Sequence, residues 1–156
     1  MSRTRSASLV KLADSTYEGV DQFTPVVYDR RVKAKVVDVY DGDTVTINFY
    51  LNDDPDLPIV QEKVRLNGID TCEMRGEKGN RKKLAQEATD LVDRLILDKI
   101  VEIQFHDDND KYRRLLGDIY IDNICVNQLL LDKGLATPYF GGKKDKTFGV
   151  LPNEVL

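Results

Sequence analysis

The hydrophobic period of this chain changes partway along its length, and this change limits the folds that the chain can adopt. Residues 35–40 are rich in β-branched and aromatic side chains, and Asp41-Gly42 then supplies the residues of a tight turn. Apolar and polar side chains alternate along residues 44–50, as they do in a half-buried strand. After a loop rich in Asp and Pro, residues 59–66 again have strand character. These segments predict three sequential antiparallel strands.

The next segment has a helical period. Apolar side chains recur at helical spacing over residues 84–96, which predicts one amphipathic helix with Asn80 as its N-cap. Residues 101–106 and 115–121 are typical of strands, and residues 126–133 predict a short helix. This order of three strands, a helix, two strands and a helix is that of a five-stranded OB-fold barrel with two to three helices. The predicted fold class is therefore mainly β, with an α+β arrangement.

The N-terminal part of the chain differs from the rest. Residues 1–30 show no sustained period, so we expect an extension that is poorly ordered or laid over the surface. Residues 31–156 then form one OB-fold domain, which suits a chain of 156 residues. The first residues are basic, but no apolar stretch follows them and none is long enough to span a bilayer. We therefore expect an intracellular protein, with secretion left open.

The counts of charged and metal-binding residues exclude several classes of function. The net charge is −4, from 23 Lys and Arg against 27 Asp and Glu, so bulk positive charge cannot hold nucleic acid here. The lone His106 excludes a multi-histidine metal site, and Cys72 and Cys125 cannot build a four-cysteine zinc site by themselves. A protein of this composition that handles polyanions needs local basic groups or a bound cation.

Three polar clusters lie where the predicted barrel would otherwise be apolar or turn-like. They are Asp41-Gly42-Asp43-Thr44, then Arg65 with Asp70 and Glu73, and then residues 110–114 with the sequence Asp-Lys-Tyr-Arg-Arg. Taken singly, the first has the composition of a hairpin turn, the second that of a solvated loop, and the third that of a charged hairpin. The second carboxylate of the first cluster is, however, one more than a turn requires.

Together the clusters contain the groups needed for metal-assisted cleavage of a phosphodiester. Hard divalent cations such as Ca²⁺ bind carboxylate and carbonyl oxygens, which Asp43, Asp70 and a nearby carbonyl would supply. Two arginines on neighbouring strands would hold one phosphate, because guanidinium groups match the geometry of its oxygens. Glu73 is the spare carboxylate, and it would orient or deprotonate an attacking water.

In these motifs, and in their order, the sequence resembles the staphylococcal nuclease (thermonuclease) family. The resemblance covers about residues 33–139, with support from Gln86-Glu87-Ala88 on the predicted helix and from residues 126–136. It implies an OB-fold barrel and a Ca²⁺-dependent phosphodiesterase of the micrococcal endonuclease type. Such an enzyme hydrolyses DNA and RNA and leaves 3′-phosphate ends.

The resemblance also implies a role for each matching residue. The calcium ligands would be Asp43, Asp70 and, through its main-chain carbonyl, Thr71, with the Asp41 carboxylate just outside that shell. The groups that act on the phosphate would be Arg65, Arg114 and, as the residue that positions or deprotonates water, Glu73. The residues that contact the bound nucleotide would be Lys111, Tyr112 and, by stacking on the base, Tyr139, with Phe140 as the alternative.

Two other classes of function stay open on the sequence. One is a non-catalytic OB-fold module that binds nucleic acid or another protein, and the other is a protein-binding domain whose acidic cluster holds structural calcium. The non-catalytic module would need a degenerate site, whereas the acids and arginines of this chain match the family motif, which favours the nuclease. As partners we expect a nucleic acid substrate, with single strands preferred, and we expect a monomer with no membrane association.

Overall fold

The order of strands and helices along the chain follows the predicted one, with additions. The structure is a computed structural model that describes residues 3–17, 26–109 and 114–154. In chain order its elements are α1 (Arg3–Ala13), β1 (Val32–Asp41), β2 (Thr44–Tyr50), a 3₁₀ turn (Leu51–Asp53), β3 (Ile59–Leu66), β4 (Ile69–Thr71), α2 (Gly79–Ile96), β5 (Ile100–Asn109), β6 (Leu115–Ile121), β7 (Ile124–Cys125), α3 (Val126–Asp132) and β8 (Ala136–Pro138).

Within the described residues, strands β1, β2, β3, β5 and β6 close into a barrel. β1 pairs antiparallel with both β2 and β5, β2 pairs with β3, and β5 pairs with β6. The ring closes where β3 runs parallel to β6, which places Arg65 beside Leu116 and Leu66 beside Gly117. This confirms the predicted five-stranded barrel and the mainly β, α+β class.

The barrel interior is filled by the inward side chains of the alternating strands. These side chains expose none of their surface at Val36, Ile47, Val64, Ile103 and Ile119. Full burial of such a side chain contributes about 1.5–3 kcal/mol, so the core holds the strands firmly in register. Helix α2 packs its apolar face against β1 and β4. Among the described residues, no helix combines the length and the apolarity that crossing a membrane requires.

Helix α1 lies in a segment for which the sequence predicted no regular element. It packs against β1 and β2, and its Leu12 side chain is 1% exposed. The Tyr50 hydroxyl also donates to the Ser8 carbonyl of the helix at 2.7 Å, and Asn48 Nδ2 donates to the Thr16 carbonyl, just after the helix, at 2.7 Å. Because main-chain carbonyls accept these bonds, the helix needs no long apolar stripe, which explains the missing period. The division of the chain near residue 30 stays a prediction.

The start of α2 corrects the predicted N-cap. The helix begins at Gly79, with Lys78 as the N-cap residue and no side-chain hydrogen bond from it. The Asn80 main-chain N–H instead donates to Glu154 Oε1 at 2.8 Å, and Asn80 Nδ2 donates to the Gly149 carbonyl at 2.7 Å. The Glu154 carboxylate, from the far end of the described chain, thus accepts from a main-chain N–H at the start of α2. The sequence had predicted that a local Asn80 cap would do this.

Candidate active site

The turn between β1 and β2 is buried, unlike an ordinary hairpin turn. Asp41 is 7% exposed and Asp43 is 6% exposed. A Cβ on Gly42 would lie 2.7 Å from the Ala88 Cβ and 3.0 Å from Thr71 Cγ2, so only glycine lets the turn approach α2 and β4 this closely. The turn therefore presents two carboxylates to the protein interior instead of to solvent.

Asp43 connects this turn to β3 and β4. Its Oδ2 accepts a hydrogen bond from the Thr71 main-chain N–H at 3.0 Å and lies 3.5 Å from Arg65 Nη2. Its Oδ1 accepts from the Thr44 hydroxyl at 3.1 Å, and the Asp43 main-chain N–H donates to Asp41 Oδ1 at 3.1 Å. Both carboxylate oxygens of Asp43 are thus held in fixed directions.

Arg65 lies between the two predicted ligand carboxylates. Its Nη2 is 3.0 Å from Asp70 Oδ1 and 3.5 Å from Asp43 Oδ2, while Nη1 donates to the Ile69 carbonyl at 2.9 Å. The side chain is only 6% exposed. The acids at positions 43 and 70 therefore converge on one nitrogen atom, on the same side of the barrel.

Arg114 reaches the same cluster through one hydroxyl group. Its Nη1 donates to Thr44 Oγ1 at 3.0 Å, and that hydroxyl in turn donates to Asp43 Oδ1. Arg65 pairs with Leu116 where β3 and β6 run side by side, a pairing called the β3–β6 seam below. Arg114 directly precedes β6 and therefore lies close to Arg65. The seam thus brings together two guanidinium groups from distant parts of the chain.

Glu73 lies at the rim of the site, where a lysine that the sequence reasoning missed contacts it. The Glu73 side chain is 62% exposed, and its Oε1 lies 3.5 Å from Lys144 Nζ. The same Nζ lies 3.3 Å from Asp70 Oδ1. In the sequence, Lys144 is one of several lysines after Gly141-Gly142, and no local pattern marks it as a site residue.

Burial raises the pKa of two acids of this cluster, Asp41 and Asp70. For Asp70, burial is the largest cause of the raised pKa, and the negative charge of Asp43 adds to it. The positive charges of Lys144 and Arg65 lower the pKa of Asp70 but do not cancel the rise. Burial, and then the charge of Asp43, raises the pKa of Asp41 to about 7. Burial by itself would lower the pKa of the Lys144 ammonium. The negative charges of Asp70 and Glu73 together outweigh burial, so the pKa of Lys144 is raised. A site that crowds acids in this way favours a bound cation, which stabilises their ionised forms.

The cluster opens into a cleft of about 1280 Å³ whose lining includes the aromatic side chains of Tyr139 and Phe140. Tyr139 packs its ring 5.2 Å from Arg65 Cζ and donates its hydroxyl to the Gly142 carbonyl at 2.9 Å. Phe140 is 85% exposed and also lines the cleft. Lys111 and Tyr112, the predicted phosphate contacts, lie outside the described residues.

Within the described residues, Asp43 and Asp70 bring together oxygen donors of the kind that a hard cation binds. No three His, Cys, Asp or Glu side chains within it lie close enough to hold an ion together. The carboxylates of Asp43 and Asp70 nevertheless converge on a positive charge, the Arg65 guanidinium. Carboxylates and main-chain carbonyls are the donors that Ca²⁺ binds, and water or phosphate oxygens usually complete its shell of about six to eight.

The barrel and its cleft define a class of protein, the OB-fold barrels that carry an acid–arginine site beside the turn of the first hairpin. The family model described as staphylococcal nuclease homologue matches residues 63–151. Because this is more than half of the chain, the protein belongs to that family. The matched region contains Arg65, Asp70, Glu73 and Arg114, and it begins after the buried turn that carries Asp43.

A relative from rice extends this comparison. The probable staphylococcal-like nuclease CAN1 of Oryza sativa subsp. japonica is 32% identical over 77 residues, which are 49% of this chain and 21% of the relative. The chain thus spans about a fifth of the length of the relative that it matches.

Proposed function

We propose that this protein is a Ca²⁺-dependent nuclease that hydrolyses phosphodiester bonds of DNA and RNA. The observation that carries the proposal is the position of Arg65 Nη2, which lies 3.0 Å from Asp70 Oδ1 and 3.5 Å from Asp43 Oδ2. Two acids and a guanidinium that the family motif associates with one phosphate are adjacent in this cleft. Membership of the nuclease family supports the same reaction class.

The proposed calcium ligands are Asp43, Asp70 and the Thr71 carbonyl. The Asp41 carboxylate supports Asp43 by accepting a hydrogen bond from the Asp43 main-chain N–H. When bound, Ca²⁺ supplies a hard positive charge that polarises a phosphate oxygen. The carboxylates of Asp43 and Asp70 are oriented for this role, since Thr71, Thr44 and Arg65 fix their oxygens.

The arginines and Glu73 perform the remaining steps. Arg65 and Arg114 hold the scissile phosphate and stabilise the charge that builds on its oxygens in the transition state. Glu73 accepts a proton from the attacking water as the new P–O bond forms. The bond between phosphorus and the 5′ oxygen breaks, the departing 5′ oxygen takes up a proton from solvent to become a 5′-hydroxyl, and the other product keeps a 3′-phosphate.

Single-stranded substrates suit the proposed site because an unpaired base can stack on an aromatic side chain. Tyr139 was the predicted stacking residue, but its ring packs near Arg65 and its hydroxyl is bonded to Gly142. Phe140 is far more exposed and lines the same cleft, so we assign the stacking role to Phe140. Lys111 and Tyr112 stay as predicted phosphate contacts, and a monomeric state and an intracellular location stay predictions of the sequence.

The test is digestion of single-stranded DNA and of RNA by the full chain, with Ca²⁺ or with EDTA. We expect cleavage only with Ca²⁺, and a loss of about 10²–10³-fold in rate for Arg65→Ala, since such a fixed donor is removed. Asp43→Ala should lose a similar factor or more. Thermal melts must first show that each variant is folded at the assay temperature, because both residues belong to a buried charge cluster.

Matched controls are Asp56→Ala and Arg94→Ala, which remove the same charges from exposed positions away from the cleft. Cleavage that survives EDTA and both site substitutions would refute the proposal. No cleavage by the unaltered protein, with retained binding of single strands, would instead favour the non-catalytic binding module. Calcium that raises the melting temperature without any effect on nucleic acid would favour the structural-calcium domain.

A further inference from the structure

We propose that Lys144 is a built-in counter-ion of the active site, which occupies the acids in the cation-free protein and competes with a divalent cation for them. This inference rests on the proposed function in taking Asp43 and Asp70 as the cation site. It adds a residue that the family motifs do not contain and that controls how readily the cation binds.

The contacts of one carboxylate oxygen carry the argument. Asp70 Oδ1 lies 3.0 Å from Arg65 Nη2 and 3.3 Å from Lys144 Nζ, so two positive groups share this oxygen. Lys144 Nζ also lies 3.5 Å from Glu73 Oε1 and therefore bridges a proposed ligand and the proposed base. A divalent cation that binds Asp70 Oδ1 therefore competes with these two groups for the same oxygen.

Lys144 is the group that is easier to displace. The Arg65 side chain is 6% exposed and is bonded to Ile69 and Asp70 as well as placed beside Asp43. The Lys144 side chain is 38% exposed and ends in a point charge on a flexible stem. A bound cation would therefore release Lys144 towards the cleft and leave Arg65 in place.

The C-terminal segment, residues 139–154, holds Lys144 over the acids. Before Lys144, the Tyr139 N–H donates to the Gly68 carbonyl at 2.9 Å, and after it Arg81 Nη1 donates to the Phe148 carbonyl at 2.6 Å. Between these anchors, Gly141 and Gly142 have φ values of 101° and 83°, a conformation that favours glycine. Lys144 thus sits on a short span fixed at both ends, which delivers its ammonium to the site.

Calorimetric titration of Ca²⁺ into the full chain tests the competition directly. We expect Lys144→Gln to bind Ca²⁺ about three- to tenfold more tightly than the unaltered protein, the scale of two partly exposed ion pairs that no longer compete. Lys143→Gln is the matched control, because it removes the same charge from the neighbouring exposed position and should change the affinity less than twofold. Lys144→Arg keeps the charge and should stay close to the unaltered protein.

Thermal melting gives a second readout that does not depend on catalysis. In EDTA, Lys144→Gln should melt at a lower temperature than the unaltered protein, because Asp70 and Glu73 lose their counter-ion. Saturating Ca²⁺ should remove this difference, since the cation takes over the same role. Lys143→Gln should melt like the unaltered protein in both conditions.

The outcomes separate this inference from the proposed function. Calcium affinity that is unchanged or weaker in Lys144→Gln would overturn the competition and leave the proposed nuclease intact. Equal tightening in Lys143→Gln would also overturn it, because the effect would then be one of overall charge. Absence of calcium binding in all four proteins would overturn this inference together with the calcium part of the proposed function.

Discussion

At the scale of single residues, Asp43 is the acid that contacts both arginines, one directly and the other through Thr44. Asp43 approaches Arg65 directly, and the Thr44 hydroxyl links it to Arg114, with hydrogen bonds of 3.1 Å on one side and 3.0 Å on the other. One hydroxyl therefore both donates and accepts, and it sets the distance between a proposed calcium ligand and a proposed phosphate-binding group. Thr44 acts through its neighbours and is a positioning residue.

The role of Thr44 can be tested by a variant of nearly the same shape. Thr44→Val removes both hydrogen bonds, and we expect kcat/KM for single-stranded DNA to fall by about 10- to 100-fold, the cost of a small misplacement of catalytic groups. Thr44→Ser keeps the hydroxyl and should restore most of the activity, which a purely structural role of the methyl group would not predict. Full activity of a folded Thr44→Val protein would contradict this role.

The sequence could identify the chemical types at the site but not all of its members. The motifs around Asp43, Arg65 and Asp70 predicted acids and an arginine that meet, and the structure brings them together, although their roles stay predictions. Lys144 was missed because nothing in its neighbourhood distinguishes it from the lysines beside it. Its position depends on the path of the C-terminal segment, which only tertiary contacts determine.

At the scale of elements, each strand or turn contributes one part of the cleft. The β1–β2 turn supplies Asp43, the end of β3 supplies Arg65, β4 supplies Asp70, and the chain entering β6 supplies Arg114. The core packing holds these elements in register, so the site inherits its precision from the barrel. Helix α1 is attached to the same strands from outside, through Leu12 and the carbonyls that accept from Asn48 and Tyr50.

The attachment of α1 can be measured as a contribution to stability. Leu12→Ala removes a side chain that is 1% exposed, and we expect the free energy of unfolding to fall by about 2–4 kcal/mol. Val10→Ala is the control on the same helix, because Val10 is 59% exposed and should change stability by less than about 0.5 kcal/mol. Urea unfolding of both variants checks this. Equal, small effects would show that helix α1 is not part of the cooperative unit.

Strands were the easiest elements to predict, because apolar and polar side chains alternate along β2 and β6. Buried and partly buried residues alternate along most of β6. The prediction of a half-buried β2 was wrong, since β2 is buried along its whole length and helix α1 packs against it. Helix α1 escaped prediction because its contacts use backbone carbonyls, which leave no trace in the side-chain pattern. The N-cap of α2 was wrong for a related reason. Asn80 has the composition of a local cap, but Glu154 reaches the helix start from the C-terminal segment.

At the scale of the whole molecule, the C-terminal segment connects the site to the start of α2. Arg81 donates from Nε and Nη2 to the two Glu77 carboxylate oxygens at 2.8 Å each, and from Nη1 to the Phe148 carbonyl. The hydrogen bonds from Arg81 lower the pKa of Glu77 below its ordinary value of 4.5, against a smaller opposing effect of burial. Ionised Glu77 therefore orients the arginine that anchors the segment carrying Lys144.

This pair predicts a pH dependence of the global stability. Because the pKa of Glu77 is lower in the folded protein than in the unfolded chain, its contribution is complete above pH 4.5 and is lost as the pH falls through the folded value. We expect Glu77→Gln to lose about 1 kcal/mol at pH 7 and to match the unaltered protein at a pH low enough to protonate Glu77 in the folded state. Thermal melts from pH 7 downward measure the difference.

The same helix offers a matched control. Glu87 lies 4.0 Å from Lys83 on an exposed face, with side-chain exposures of 48% and 73%. Glu87→Gln should therefore leave the stability at pH 7 nearly unchanged, since exposed pairs of this kind contribute little. A loss at pH 7 as large in Glu87→Gln as in Glu77→Gln would contradict the assigned role of the Glu77–Arg81 pair.

The barrel itself was predictable from the order of its elements. Few folds bury the apolar faces of both the strands and the helix in this order, and an OB-fold barrel is one of them. The seam between β3 and β6 was not visible in the sequence, since nothing local pairs residue 65 with residue 116.

That seam has a consequence for how the two arginines work together. Arg65 and Arg114 become neighbours only when β6 pairs with β3, so both guanidinium groups reach one place only after the barrel has closed. In the proposed nuclease, joint phosphate binding by the two arginines would therefore require the folded barrel, and any unfolding that opens this seam would abolish it.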